Sequence, residues 1–251
     1  MKRQKAKSKN NPVVIGVIPA RYGSTRLPAK ALAMIHGKPM IQHVYERCLK
    51  TKLLSEVLVA TDDKRIFDTV INFGGNVVMT SKKHKSGTDR IGEAVKNIKC
   101  DIVVNIQGDE PMIASNNIDK AIKPLIQDKN INVSTLCIKI SDKKEISNPN
   151  VVKVVLDSNS NALYFSRSVI PYNRDNTKAA HHKHIGLYVY RKDYLMKLIK
   201  MKPSKLELTE KLEQLRVLES GEKIKVIETK IDSHSVDTHA DLRKIRKLIK
   251  S

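Results

Sequence analysis

Val13-Val-Ile-Gly-Val-Ile18, followed at once by Pro19-Ala-Arg-Tyr-Gly-Ser-Thr-Arg-Leu-Pro-Ala-Lys30, is the stretch on which the fold turns. Its first part is a short β-branched run, the pattern of a buried strand. The loop after it is punctuated by Pro and Gly and sets Arg21, Ser24, Thr25, Arg26 and Lys30 close together. Open parallel sheets bind ligands at the carboxyl ends of their strands. Cations, hydroxyls and backbone N–H groups placed there suit a polyphosphate. The common nucleotide fingerprints are absent: no GxGxxG occurs, and Gly37-Lys38 is followed by Pro39 rather than Ser or Thr. The plain alternative is a basic surface turn.

Outward from this loop, strand and helix patterns alternate. Ile41, Val44 and Cys48 recur at helical spacing, Val57 to Ala60 reads as a second strand, and Ile66, Phe67, Val70 and Ile71 mark a helix closed by Gly74-Gly75. Asn76 to Met79 is a third strand, Thr88 to Lys96 a helix, and Ile102 to Ile106 a fourth strand running into Gln107-Gly-Asp-Glu-Pro111. This alternation predicts an α/β fold, three layers deep, with a mostly parallel sheet and helices on both faces. The second half is less regular. Val133 to Ile140 and Val151 to Leu156 read as strands, with Ala162 to Phe165 as a hairpin partner across the turn Asp157 to Asn161. His184 to Tyr190 and Ile224 to Ile227 are further strands, Leu208 to Leu218 is one helix, and Leu242 to Ile249 the last. No repeat or linker divides the chain, so residues 12–251 are read as one domain behind a disordered basic tail, residues 1–11.

The 251 residues carry a net charge of +21, which invites a nucleic-acid hypothesis. The distribution speaks against it. Beyond the tail, which holds Lys2, Arg3, Lys5, Lys7 and Lys9, the cations are scattered, and aromatics are only 4% with no Trp to stack unpaired bases. The excess reads as compositional drift that also draws in small anions. No apolar run reaches membrane-spanning length. The basic start lacks an apolar core and is read as no secretory signal. Cys48, Cys100 and Cys137 are odd in number and widely spaced, which excludes a disulfide framework and fits a reduced, cytoplasmic setting.

Seven blocks, in order, resemble the sugar-activating cytidylyltransferases, most closely the 3-deoxy-manno-octulosonate cytidylyltransferase (CMP-Kdo synthetase) family. They are Ile18 to Lys30, His84-Lys-Ser-Gly-Thr-Asp-Arg90, Asn105 to Pro111, Tyr164-Phe-Ser-Arg-Ser-Val-Ile-Pro171, His184-Ile-Gly-Leu-Tyr188, Leu212-Glu-Gln-Leu-Arg216 and Val236-Asp-Thr238. The resemblance implies a Rossmann-like nucleotidyltransferase fold and transfer of CMP from CTP to Kdo with release of pyrophosphate, in bacteria that build lipopolysaccharide. It also implies Mg²⁺ and a homodimer. A cytidylyltransferase for 8-amino-Kdo or a sialic acid is the near alternative. A basic nucleic-acid-binding protein is the distant one.

By the same resemblance, Arg21, Ser24, Thr25 and Lys30 hold the triphosphate, and Ser86, Gly87 and Arg90 contact the cytidine nucleotide. Asp109 and Asp237 hold Mg²⁺, a hard cation that takes one or two carboxylates beside phosphate oxygens. Read alone, Asp237 is a helix-start residue ahead of the Thr238 and Asp241 capping pair. Arg90 opposes the dipole at a helix start, an arrangement that a ligand or a neighbouring acid such as Glu93 relieves. Gln107, Arg167, His184, Tyr188, Glu213 and Gln214 are implied sugar contacts. Strand alternation puts His184, Gly186 and Tyr188 on one face, with Gly186 leaving room above it. Arg167 suits the sugar carboxylate or an ordinary surface ion pair. Glu213 and Gln214 suit the sugar or a solvated helix face. Two positions depart from the family pattern, Ala29 and Val189, where Gly is common; both are expected to add a side chain near the ligands.

Overall fold

Side-chain alternation along the first strand sorts the molecule into layers. In the computed structural model, which describes residues 12–23, 27–175 and 179–249, β1 (Val14–Ala20) sends Val14 and Ile18 into one core and Ile15 and Val17 into another. The expected basic tail and the loop residues Ser24 and Thr25 lie outside the described residues.

After β1 come the hairpin strands β2 (Met34–Ile35) and β3 (Lys38–Pro39), then α1 (Met40–Cys48), β4 (Glu56–Thr61), α2 (Lys64–Asn72), β5 (Val77–Met79), α3 (Gly87–Val95) and β6 (Ile102–Asn105). The second half adds α4 (Ser115–Gln127), β7 (Val133–Lys139), α5 (Lys143–Ser147), β8 (Lys153–Leu156), β9 (Ala162–Ser166) and β10 (His182–Arg191). It closes with α6 (Lys192–Leu198), α7 (Lys205–Glu210), α8 (Gln214–Glu219), β11 (Ile224–Glu228) and α9 (His239–Leu248). Among the described residues, nine strands form one sheet whose main path runs β11-β7-β10-β6-β1-β4-β5. β1 is parallel to β4 and β6, β4 to β5, and β7 to β11, whereas β10 is antiparallel to β6, β7 and β8. The expected hairpin forms, with β8 and β9 antiparallel.

One core packs α1, α2 and α4 on the sheet through Val44, Ile66 and Ile118; the other packs α3, α6 and α8 through Ile91, Leu195 and Leu215. Every residue in that list is sealed from solvent, and burial of each such side chain stabilises by about 1.5–3 kcal/mol. The mostly parallel three-layer expectation therefore holds, and it places the carboxyl ends of β1, β4 and β6 along one edge.

The structure departs from the sequence reading in several places, adding β2, β3, α4, α5 and α6 to the expected elements. The stretch Leu208 to Leu218 is two short helices, because Lys211 turns left-handed at φ 54° and ends α7. The helix α4 escapes a periodicity search because its buried face carries Asn117 and Asp119. Asp119 accepts the backbone N–H groups of Lys52 and Leu53, and Asn117 donates to the Ile231 carbonyl. Val189 does not approach the ligand face; it is fully buried between β6 and β7, opposite Val104 and Ser134.

Candidate active site

Two loops meet because a glycine lets them. Gly108 follows β6, and a Cβ there would stand 3.0 Å from the Pro19 carbonyl at the end of β1. The approach brings Asp109 to Lys30, whose Nζ donates to Asp109 Oδ2 at 2.5 Å and to Asp237 Oδ1 at 3.0 Å. Asp237 arrives from the far end of the chain. The Val236 N–H donates to the Asp109 carbonyl at 2.9 Å, and Thr238 and Asp241 form the expected capping box of α9. Burial alone would lower the Lys30 pKa; the adjoining Asp109 and Asp237 carboxylates override this and hold it above its ordinary value. Two carboxylates separated by some 130 residues thus converge on one cation, and the same pair fits a divalent ion bound with phosphate oxygens.

Lys30 opens a short 3₁₀ turn whose cap is Ala29 at φ 53°, ψ 31°. This left-handed conformation costs a side-chain-bearing residue about 1–2 kcal/mol and is met most easily by Gly. The Ala29 departure therefore bears on loop strain beside Lys30. On the same loop, the Arg65 guanidinium lies 3.3 Å over the Tyr22 ring, packing the base of the loop on α2.

The resulting cleft, about 380 Å³, is lined by Arg21, Lys30, Ser86, Gly87, Arg90, Gln107, Asp109 and Asp237. Ser86 caps α3 as expected, accepting from the Asp89 N–H at 3.1 Å. Arg90 is almost fully buried, yet its partner is not Glu93. Its guanidinium donates to Asp62 Oδ2 and to Thr80 Oγ1, each at 2.6 Å. Glu93 instead accepts from the Ser81 N–H and pairs with the His84 ring. Asp62 was legible by the rule that found Asp109: it follows a parallel strand directly.

Gln107 also borders a second cleft of about 370 Å³, with His184, Gly186, Tyr188, Tyr190, Glu213 and Gln214. The strand face is as alternation required, although a bulge interrupts the pairing of β10 with β7 between Ile185 and Tyr188. Gln107 Nε2 donates to the Gly186 carbonyl at 3.1 Å. His184 packs edge-on to Phe165 and lies 3.0 Å from Thr135 Oγ1; burial drives its pKa down to about 3, so the ring is neutral. The Tyr188 and Tyr190 rings stack at 5.9 Å, and burial raises both phenols well above their ordinary pKa.

Glu213 and Gln214 are not solvated. Gln214 is buried, and Glu213 accepts from Thr88 Oγ1 at 2.8 Å. Burial pushes the Glu213 carboxyl up, against the Thr88 and Ser86 hydroxyls that favour its charged form. The break at Lys211 explains the placement, since it turns the start of α8 inward. Asn105, at the end of β6, is a lining residue that the sequence reading did not single out; its Oδ1 is buried without a hydrogen-bond partner. Arg167 borders neither cleft: its Nε donates to the Glu210 carbonyl and its Nη1 to the Pro149 carbonyl. Glu110 turns away from Asp109 into the protein, where the Ser233 hydroxyl donates to it and burial raises its pKa to about 7.

Residues 15–224 match the cytidylyltransferase family model. The 3-deoxy-manno-octulosonate cytidylyltransferase of Geobacter metallireducens is 52% identical over 243 residues, covering 92% of this chain and 96% of that protein. A solved structure described as CMP:2-keto-3-deoxy-manno-octonic acid synthetase complexed with CTP superposes with a TM-score of 0.91 at 46% identity, over 94% of this chain and 98% of the other. A 4-diphosphocytidyl-2C-methyl-D-erythritol synthase from Anaerococcus prevotii shares the fold alone, at a TM-score of 0.63 and 14% identity, over 95% of this chain and 99% of that one.

Proposed function

Because the chain belongs to the 3-deoxy-manno-octulosonate cytidylyltransferase family, we propose that it transfers CMP from CTP to Kdo, giving CMP-Kdo and pyrophosphate. The observation that carries this reading is the convergence of Asp109 and Asp237 on Lys30 at the carboxyl edge of the parallel sheet. A sugar hydroxyl attacks the α-phosphorus in line and pyrophosphate departs opposite, so the protein's task is positioning and charge neutralisation rather than covalent catalysis.

Arg21 and Lys30 bind phosphate oxygens, while Ser86 and Gly87 present the start of α3. Arg90, fixed by Asp62 and Thr80, contacts the cytidine portion of the nucleotide. Asp109 and Asp237 would hold Mg²⁺, which when bound neutralises phosphate charge and makes the attacking hydroxyl more acidic. Gln107, common to both clefts, stands where nucleotide and sugar meet. The neutral His184 and the Tyr188, Glu213 and Gln214 side chains offer hydrogen bonds to sugar hydroxyls.

The reading extends to a homodimer in the cytoplasm, supported by the family resemblance; among the described residues, no helix is long and apolar enough to cross a membrane. Pyrophosphate release with CTP, Kdo and Mg²⁺, omitting each in turn, tests the activity. Release that needs all three is expected. Release with a sialic acid or 8-amino-Kdo in place of Kdo, and none with Kdo, contradicts the proposal.

A further inference from the structure

Four side chains of fixed positive charge border the phosphate cleft: Arg21, Lys30, Lys85 and Arg90. Two of these charges are already committed. Lys30 is shared between Asp109 and Asp237, and Arg90, with its side chain 5% exposed, is paired to Asp62. Among the described residues, Arg21 and Lys85 have no carboxylate partner. Among the described residues these two are therefore the cleft's charges left to meet an incoming polyanion, and its attraction for a triphosphate rests on them more than the number of described cations suggests.

The backbone around Lys85 is fixed from both sides. The Glu93 carboxylate, in the second turn of α3, accepts the Ser81 N–H at 3.0 Å and pairs with the His84 ring. On the other side Ser86 caps α3. Lys85 thus sits immediately ahead of the helix cap, where a cation opposes the positive end of the helix dipole by about 0.3–1 kcal/mol. An anion bound between Lys85 and the first turn of α3 reverses that sign, because side chain and helix end then attract the same group. Lys82, Lys83 and Lys85 are all exposed, and of these three Lys85 alone borders the cleft.

We propose that Lys85 is a phosphate-binding residue which, together with Arg21, holds the terminal phosphates of the nucleotide, the part that leaves as pyrophosphate. This assignment rests on the cytidylyltransferase reading above. It concerns the phosphate tail alone, so the effect of removing Lys85 depends on how many phosphates the ligand carries.

The test is calorimetric titration of CTP and of CMP into the full chain and its Lys85→Gln, Lys85→Arg and Lys82→Gln variants, at low and high salt. For Lys85→Gln, CTP binding weakens about five- to tenfold while CMP binding shifts less than about twofold, and the salt dependence of CTP binding becomes shallower. Lys85→Arg keeps CTP affinity within about twofold, and Lys82→Gln behaves as the unmodified chain. Equal weakening of CTP and CMP would overturn the proposal in favour of a loop-holding role, and unchanged CTP binding would overturn it outright. Failure of the unmodified chain to bind CTP would instead sink the cytidylyltransferase reading, and this assignment with it; the two failures are told apart by which protein shows the loss.

Discussion

The phosphate cleft and the aromatic cleft share Gln107 as a wall but hold their shapes by different forces. On the phosphate side, Lys30, Asp109, Asp237, Arg90 and Asp62 come from loops and strand ends, and opposed charges at 2.5–3.0 Å fix them. On the other side, β10 and the start of α8 supply stacked tyrosines, a neutral imidazole and a carboxyl that burial keeps from ionising easily. The first is suited to a ligand of high charge. The second carries little charge of its own and suits a ligand recognised hydroxyl by hydroxyl. A family of this kind needs both, since one substrate is a polyanion and the other a polyhydroxylated acid.

The largest effect is expected where charge is concentrated. Asp109→Asn removes one of the two carboxylates and lowers turnover on the order of a thousandfold while the thermal transition stays in place. Steady-state pyrophosphate release at saturating Mg²⁺ checks this; near-normal turnover would end the metal role. Next is Asp62→Ala, which strands the Arg90 guanidinium in the protein. We expect a stability loss of about 3 kcal/mol by denaturant unfolding, and a partial recovery in Asp62→Asn, which still accepts a hydrogen bond.

On the aromatic side the signs differ. Glu213→Gln is expected to raise KM for the sugar about tenfold with little change in KM for CTP, reflecting loss of one hydrogen bond to the carboxyl. Its effect on stability runs the other way. Because the folded pKa of Glu213 is raised, the folded state holds a proton that the unfolded chain has already released above the ordinary glutamate pKa. Stability therefore falls as pH rises from that ordinary value to the raised one, and the Gln variant lacks this fall. Unfolding midpoints across that interval decide it, and parallel curves for both proteins would contradict the burial account. The smallest change is Ala29→Gly, which relieves a left-handed backbone and is expected to stabilise by about 1 kcal/mol without altering chemistry.

The same contrast governs what could be read from the chain alone. Strands of continuous β-branched residues, and charged residues placed directly after them, announce themselves locally; hence β1, β4 and β6, with Lys30 and Asp109, were legible. Asp237 was legible only through resemblance, because a helix-start aspartate looks the same whether or not it meets a partner some 130 residues away. Asp62 obeys the strand-end rule as well, but its pairing with Arg90, 28 residues further on, is a tertiary contact that local spacing does not show. The second cleft was harder. The burial of Glu213 depends on Lys211 breaking what reads as one amphipathic helix, and Leu spacing does not reveal a left-handed turn. Arg167, a guanidinium in a family block expected at the sugar, borders neither described cleft and donates to the main-chain carbonyls of Glu210 and Pro149, tertiary partners that its sequence neighbours do not announce.

A double-mutant cycle on Asp109 and Asp237 measures the central claim directly, with turnover read as pyrophosphate release. If the two carboxylates act as one ion-holding unit, Asp109→Asn and Asp237→Asn each remove most activity and the double variant is no slower than the worse single one. Independent losses that multiply in the double variant would show two separate roles and contradict the shared site.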